Sequence, residues 1–321
     1  MNLEIFKLDS QEVAVLHALQ KEFISKDIEE TVDPTESKIK ERWFKDWQKS
    51  FPNDVKNKGI FSDLFTSFKN DSVILKLGKL SSEKQKIILF ELSIFLPYFK
   101  LKERQGNVAA LKSIYSQKKK EEQILNPYIK EITDELKDVT FAEIKEAHHH
   151  YFNALKNILP AKYRPKSSAA IILGAAVVFA ITGGLSAPII GGAIGGVLGL
   201  SGAAATSAGL AMLGGGALTI GGFGMAGGTF VIIGGGALLG SLMGFSISEQ
   251  LFKDSNFVLS QLAKIETILN NFYNWEPDLT YEIIKALREI TNQMEQAPNK
   301  KDYDKTKEII ESAISRFKEH I

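Results

Sequence analysis

An unbroken run of 82 residues, 167–248, contains no Asp, Glu, Lys, Arg or His. The run also holds 23 of the 26 glycines of the chain, set among alanine, isoleucine, leucine and valine. About a quarter of the residues of a typical soluble domain are charged, and apolar stretches of roughly 18 or more residues are candidate membrane spans. The run therefore predicts a membrane-inserting module.

Charge and cysteine content exclude several classes of function. The formal net charge is +1, with 29 basic and 25 acidic residues in 1–166 and 10 basic and 13 acidic in 249–321. Such a balance gives no general attraction to nucleic acid. The absence of cysteine excludes disulfides, thiolate metal sites and cysteine nucleophiles. The first 22 residues lack a basic segment followed by an apolar one, so no secretory signal peptide is predicted.

The polar flanks carry apolar residues at helical spacing and several helix-capping signals. Asp9 with Glu12, Ser82 with Gln85, and Thr140 with Glu143 have the spacing of capping boxes. The predicted helices cover 9–26, 36–50, 60–68, 87–96, 108–125, 140–158, 281–295 and 302–320. The chain is therefore predicted to be all-α, with a helical cytosolic domain at 1–159, a basic proline hinge at 160–166, the glycine-rich module at 167–248 and C-terminal amphipathic helices at 249–321.

Two features of these flanks predict buried helices. The apolar run 87–96 is too short to cross a bilayer, and it contains one acid, Glu91, which we interpret as a paired or boundary carboxylate. After the module, a spacing of four and three residues predicts a short coiled-coil-like seam. Its members are Val258, Leu262, Ile265, Leu269 and Phe272.

The hinge places three cations and two prolines directly before the uncharged run. Lys162, Arg164 and Lys166 are predicted to form a collar at the membrane interface. By the positive-inside rule, this collar predicts that the flanks lie on the cytoplasmic side.

Glycines within the module recur every fourth residue, which places them on single faces of helices. Only helices and closed barrels satisfy the backbone in hydrocarbon, and the module lacks the alternation of a barrel. Small residues at this spacing let membrane helices pack closely, so glycine-zipper contacts and a homo-oligomer are predicted. The packing residues are Gly191, Gly195, Gly199, Gly192, Gly196, Gly236, Gly240 and Gly244.

The length of the run leaves two or four crossings open, because one span needs roughly 20 residues. Both flanks are large and polar, so an even number of crossings, with both termini in the cytoplasm, is predicted at the inner membrane. A chain that stays soluble until it is triggered, with the run covered by its amphipathic helices, is the alternative for the resting state.

Two resemblances follow from these features. Long helices that flank an uncharged hairpin resemble the layout of α-helical pore-forming toxins, which implies insertion and oligomerisation in a bilayer. Residues 200–210, 221–228 and 234–240 resemble a glycine-rich membrane segment of assorted bacterial proteins, which implies membrane association without one particular function.

Motifs for chemistry are weak. Gly222, Gly224 and Gly227 match G-x-G-x-x-G, but such matches arise by chance in a run this rich in glycine. The cluster of histidines at 148–150 cannot converge on one ion, because consecutive helical side chains point about 100° apart. We interpret it as a solvated helix face, with a pH-sensitive latch as the alternative. The chain is thus predicted to be non-enzymatic, with no cofactor, no metal site and no nucleic-acid partner.

The sequence therefore predicts a protein that inserts into a lipid bilayer, oligomerises and permeabilises it, as a bacterial toxin or cell-suicide effector does. One alternative is a membrane anchor or scaffold that presents a helical domain to a partner protein. A second is a soluble interaction protein with a buried glycine-rich core.

Overall fold

The computed structural model describes residues 3–6, 8, 10–49, 70–95, 121–164 and 255–321. Within these ranges the structure is helical and contains no β-strand, which confirms the predicted all-α class. The glycine-rich module lies outside the described residues. The α-helices are α1 Ser10–Glu29, α2 Pro34–Lys49, α3 Asn70–Leu77, α4 Ser82–Ser93, α5 Asn126–Asp134, α6 Phe141–Ile158, α7 Ser255–Phe272, α8 Pro277–Gln296 and α9 Asp304–Lys318.

Shorter helical turns join some of these elements. A π-helical turn, Glu121–Leu125, leads into α5, and 3-10 turns occupy Leu3–Phe6, Ala161–Tyr163 and Lys300–Tyr303. The last of these leads directly into α9, so α9 begins two residues later than the sequence predicts.

Helix α6 begins with the predicted capping box. The Glu143 amide donates to Thr140 Oγ1 at 3.3 Å, and the Thr140 amide donates to Glu143 Oε2 at 2.8 Å. Two amides that have no partner within the helix are thereby satisfied, and a cap of this kind stabilises a helix by about 1 kcal/mol.

Helix α4 is capped by Ser81, so the predicted capping box of Ser82 with Gln85 is wrong by one residue. The Lys84 amide donates to Ser81 Oγ at 3.4 Å, and Ser81 has the extended backbone that a cap requires. Gln85 Nε2 instead donates to the Leu80 carbonyl at 2.8 Å, and Ser82 Oγ donates to the Asp138 carbonyl at 3.3 Å. Ser81 and Ser82 have the same capping group, so the path of the preceding turn decides which of them caps the helix.

Helix α7 lies at the centre of the described bundle. All thirteen residues from Phe257 to Leu269 are buried, including Lys264 and Glu266. The helix packs mainly against α6 and α9, and also against α4. The predicted seam residues Val258, Leu262, Ile265 and Leu269 are buried, and Phe272 is half-buried. A coiled-coil seam would bury only one face of α7, whereas the structure buries the helix on all sides.

The N-terminal helices pack onto the same core. Phe23 of α1 lies 6.2 Å from the Phe95 ring and 6.5 Å from the Tyr128 ring, which joins α1 to the end of α4 and to α5. The predicted buried helix is confirmed, since residues 87–95 are all buried. Helices from both flanks therefore contribute to one hydrophobic cluster.

Candidate functional site

The helices on either side of the uncharged run, α6 before it and α7 after it, pack directly against each other and run antiparallel. Tyr151 Oη lies 3.4 Å from Ser260 Oγ, towards the end of α6 and the beginning of α7. At the opposite end, α4 links the two helices. Its Lys86 lies 2.9 Å from Glu143 at the beginning of α6. Burial and, to a smaller extent, the negative charge of Glu83 in α4 raise the pKa of Tyr273, just beyond α7.

Helix α9 runs parallel to α7 and completes this arrangement. Lys162, just after α6, pairs with Glu308 near the beginning of α9, whereas Arg316 near its end pairs with Glu266 in α7. The end of α6 and the beginnings of α7 and α9 thus lie together. The described chain consequently stops at Arg164 and resumes at Ser255 at the same end of the bundle.

A fully buried ion pair fixes α7 against α4. Lys264 Nζ donates to Glu91 Oε2 at 2.7 Å, and the two side chains are 0% and 2% exposed. This confirms the interpretation of Glu91 as a paired carboxylate. Removal of either partner would leave a buried charge without its counterion, which costs several kcal/mol, so the pair strongly favours one register of α7 against α4.

A second polar cluster joins α7 to α6 and α9. Arg316 donates to both carboxylate oxygens of Glu266, from Nε at 3.0 Å and from Nη2 at 2.6 Å. His150 Nε2 lies 3.5 Å from Glu266 Oε1. Burial acts to raise the pKa of Glu266, but the nearby His150 ring and the hydrogen bonds and positive charge of Arg316 outweigh burial, and the net pKa is lowered.

The histidine cluster is divided among three environments. His148 Nδ1 lies 3.0 Å from the Ser93 carbonyl oxygen, so the proton of a neutral ring sits on Nδ1. His149 is exposed, and His150 faces Glu266. The predicted solvated face therefore describes His149 but not its neighbours. His150 thus lies beside a carboxylate, and the pH-sensitive latch stays a prediction.

Two of the three predicted collar residues are described, and both make contacts within the protein. Lys162 Nζ lies 2.6 Å from Glu308 Oε2. Arg164 donates to the last carbonyls around α6, from Nε to Leu159 at 2.8 Å and from Nη2 to Asn157 at 3.2 Å. A cation at a helix C-terminus satisfies free carbonyls and complements the helix dipole. The collar thus holds the chain against the bundle immediately before the uncharged run.

The remaining predicted site residues lie outside the described part of the chain. They are Lys166 of the collar and the packing residues Gly191, Gly192, Gly195, Gly196, Gly199, Gly236, Gly240 and Gly244. None of the helices in the described ranges combines the length and apolar character needed to span a bilayer. Within the same ranges, no group of three or more His, Asp or Glu side chains is arranged to hold a metal ion.

Sequence reasoning missed the partners of the buried charges. Lys264 lies 173 positions from Glu91, and Arg316 lies 50 positions from Glu266. The available signal was the position of Lys264 and Glu266, which directly flank the apolar seam residue Ile265. Charges that close to a buried stripe require partners, but spacing alone does not identify them.

The described helices thus form an all-α bundle in which two antiparallel helices precede and follow a long uncharged segment of the sequence. No protein-family model matches this chain, and no similar protein was found among curated proteins or solved structures.

Proposed function

We propose that this chain is a non-enzymatic, membrane-inserting protein of the kind that bacteria use as a pore-forming toxin or cell-suicide effector. Residues 167–248 would insert into a bilayer, oligomerise through their glycine rows and permeabilise it. The observation that carries the proposal is the run of 82 residues without an ionisable group. A run of this length offers no charge that must be paired or solvated in hydrocarbon.

The arrangement of the flanking helices supports this proposal. Because α6 ends and α7 begins at the same end of one bundle, the run can form a hairpin whose two ends stay on one side of a membrane. An even number of crossings follows, with both polar flanks on the cytoplasmic side by the positive-inside rule. Helices α6 and α7 also contact each other directly, through Tyr151 and Ser260, so the two flanks are joined by contacts outside the run.

The collar supports a resting state in which the run is held at the bundle. Lys162 and Arg164 tie the hinge to α9 and to the end of α6. The Lys162–Glu308 pair is largely exposed, and exposed pairs contribute little stability, so it can open without disturbing the core.

Dye release from vesicles tests the proposal. The full chain is added to liposomes that contain a self-quenched dye, and binding is measured in parallel by flotation. We expect binding accompanied by leakage. Binding without leakage would contradict the pore and favour a membrane anchor or scaffold, and a chain that neither floats nor releases dye would favour a soluble interaction protein.

A further inference from the structure

The end of the bundle that holds Arg164 and Ser255 is rich in cations. We call this surface the basic end. Besides the half-buried Lys307, its exposed cations are Lys156, Lys162, Arg164, Lys300, Lys301 and Lys305. The two elements that supply most of them, the hinge and the beginning of α9, are joined by the Lys162–Glu308 pair.

Carboxylates at the basic end are fewer, and two of them are already paired. Asp304 lies 3.3 Å from Lys307, and Glu308 lies 2.6 Å from Lys162. The other carboxylates in the two segments that form this surface, 156–164 and 295–308, are Glu295 and Asp302. In these two segments, seven cations against four carboxylates leave a net charge of +3, whereas the whole chain carries only +1. Positive charge is thus concentrated at the end of the bundle where the described chain stops before the run and resumes after it.

An aromatic ring lies among these cations. Lys162 Nζ is 4.9 Å and Lys305 Nζ is 5.4 Å from the centre of the Tyr163 ring. Tyrosine is enriched at the level of lipid headgroups, where its ring meets the acyl boundary and its hydroxyl meets water. Lysines beside such a ring are placed to contact phosphate groups.

We infer that the basic end binds anionic lipid headgroups and thereby selects the membrane into which the run inserts. This inference rests on the proposed function and adds the chemistry of its partner. Clusters of four to eight basic residues next to a membrane segment bind anionic lipid, because each cation gains attraction from the negative surface potential. Lys300, Lys301 and Lys305 extend the cluster beyond the hinge, although they lie more than 130 positions from it in sequence.

The test is a triple variant, K300Q/K301Q/K305Q, with K79Q/K137Q/K145Q as its control. All six lysines are exposed, so each variant removes three surface charges. The control lysines lie at the opposite end, where α4 and α6 begin, as the contact between Ser82 and Asp138 shows. Circular dichroism and thermal unfolding establish that both variants fold.

Flotation measures partition into vesicles of phosphatidylcholine, with or without phosphatidylglycerol. The wild-type chain and the control variant should prefer the anionic vesicles. The K300Q/K301Q/K305Q variant should lose about a hundredfold in partition into them, since each lysine near the surface contributes about fivefold. Salt at about 1 M, where the Debye length falls to about 3 Å, should abolish the preference of the wild-type chain.

Equal losses in both variants, or no loss in either, would overturn the inference. A wild-type chain that binds and permeabilises neutral and anionic vesicles equally would overturn it while leaving the proposed function intact. A wild-type chain that permeabilises neither kind of vesicle would overturn the proposed function as well.

Discussion

Lys264 Nζ lies 2.7 Å from Glu91 Oε2, and this ion pair is sealed between the central helix α7 and helix α4. It joins the two polar flanks of the chain across 173 positions of sequence. The helical segments before and after the uncharged run are thus fixed to each other by a buried charge pair.

Breaking the buried pair should strongly destabilise the bundle. Replacing Lys264 by Met, or Glu91 by Leu, should each lower the free energy of unfolding by about 3–5 kcal/mol, because the remaining charge loses its partner. The double variant should recover most of this loss, since it buries no charge. Urea unfolding measures these values. The exposed pair Lys130–Asp134 is the control, and its removal should lower the free energy of unfolding by less than about 1 kcal/mol.

His17 should make the bundle sensitive to acid. Its ring is 1% exposed, and burial lowers its pKa from 6.5 to about 4, only partly offset by the hydrogen bond with Gln20. Because the unfolded chain then binds more protons than the folded one, stability is highest above pH 6.5 and falls as the pH drops towards 4. The full difference corresponds to about 3 kcal/mol.

Measurement of the free energy of unfolding between pH 7 and pH 4.5 tests whether stability falls as the pH drops. His17→Gln should reduce the pH dependence of the free energy of unfolding in that range, whereas the exposed control His149→Gln should leave that dependence unchanged. An unaltered slope in His17→Gln would show that His17 does not titrate as its burial requires.

Arg316 should not be replaceable by lysine. Its guanidinium donates to both oxygens of Glu266, a bidentate geometry that an ammonium group does not reproduce. Arg316→Lys should lower the free energy of unfolding by about 1.5–3 kcal/mol, the range for a hydrogen bond to a charged group. Lys318→Arg on the exposed side of α9 is the matched control, and equal stability of Arg316→Lys and wild type would contradict the role given to the bidentate pair.

Close packing of glycines should be required for oligomers. Leucine in place of Gly195 or Gly240 separates helices that small residues allow to approach, so each variant should fail to oligomerise in detergent or in vesicles. Alanine at the same positions keeps a small residue and should have a weaker effect. Size-exclusion chromatography or a native gel measures the outcome, and an unchanged oligomer in the leucine variants would exclude the glycine-zipper contacts.

The sequence predicted most of the helices in the described ranges because their signals are local. The capping box of Thr140 and Glu143 marks the beginning of α6, and the spacing from Val258 to Leu269 marks the buried positions of α7. The partners of Lys264 and Glu266 could not be predicted, since they depend on which helices pack together. The same reason explains why Lys300, Lys301 and Lys305 could not be assigned to the hinge from the sequence.

The claim that residues 167–248 enter a bilayer can be tested at a single position. The chain has no cysteine, so Ile232→Cys gives one site for an environment-sensitive fluorophore, with Lys145→Cys on the exposed face of α6 as the control. On vesicles whose lipids carry a quencher in their acyl chains, we expect a blue shift and quenching at position 232 and neither at position 145. A fluorophore at position 232 that keeps its emission and escapes quenching, while the protein floats with the vesicles, would contradict insertion of the run.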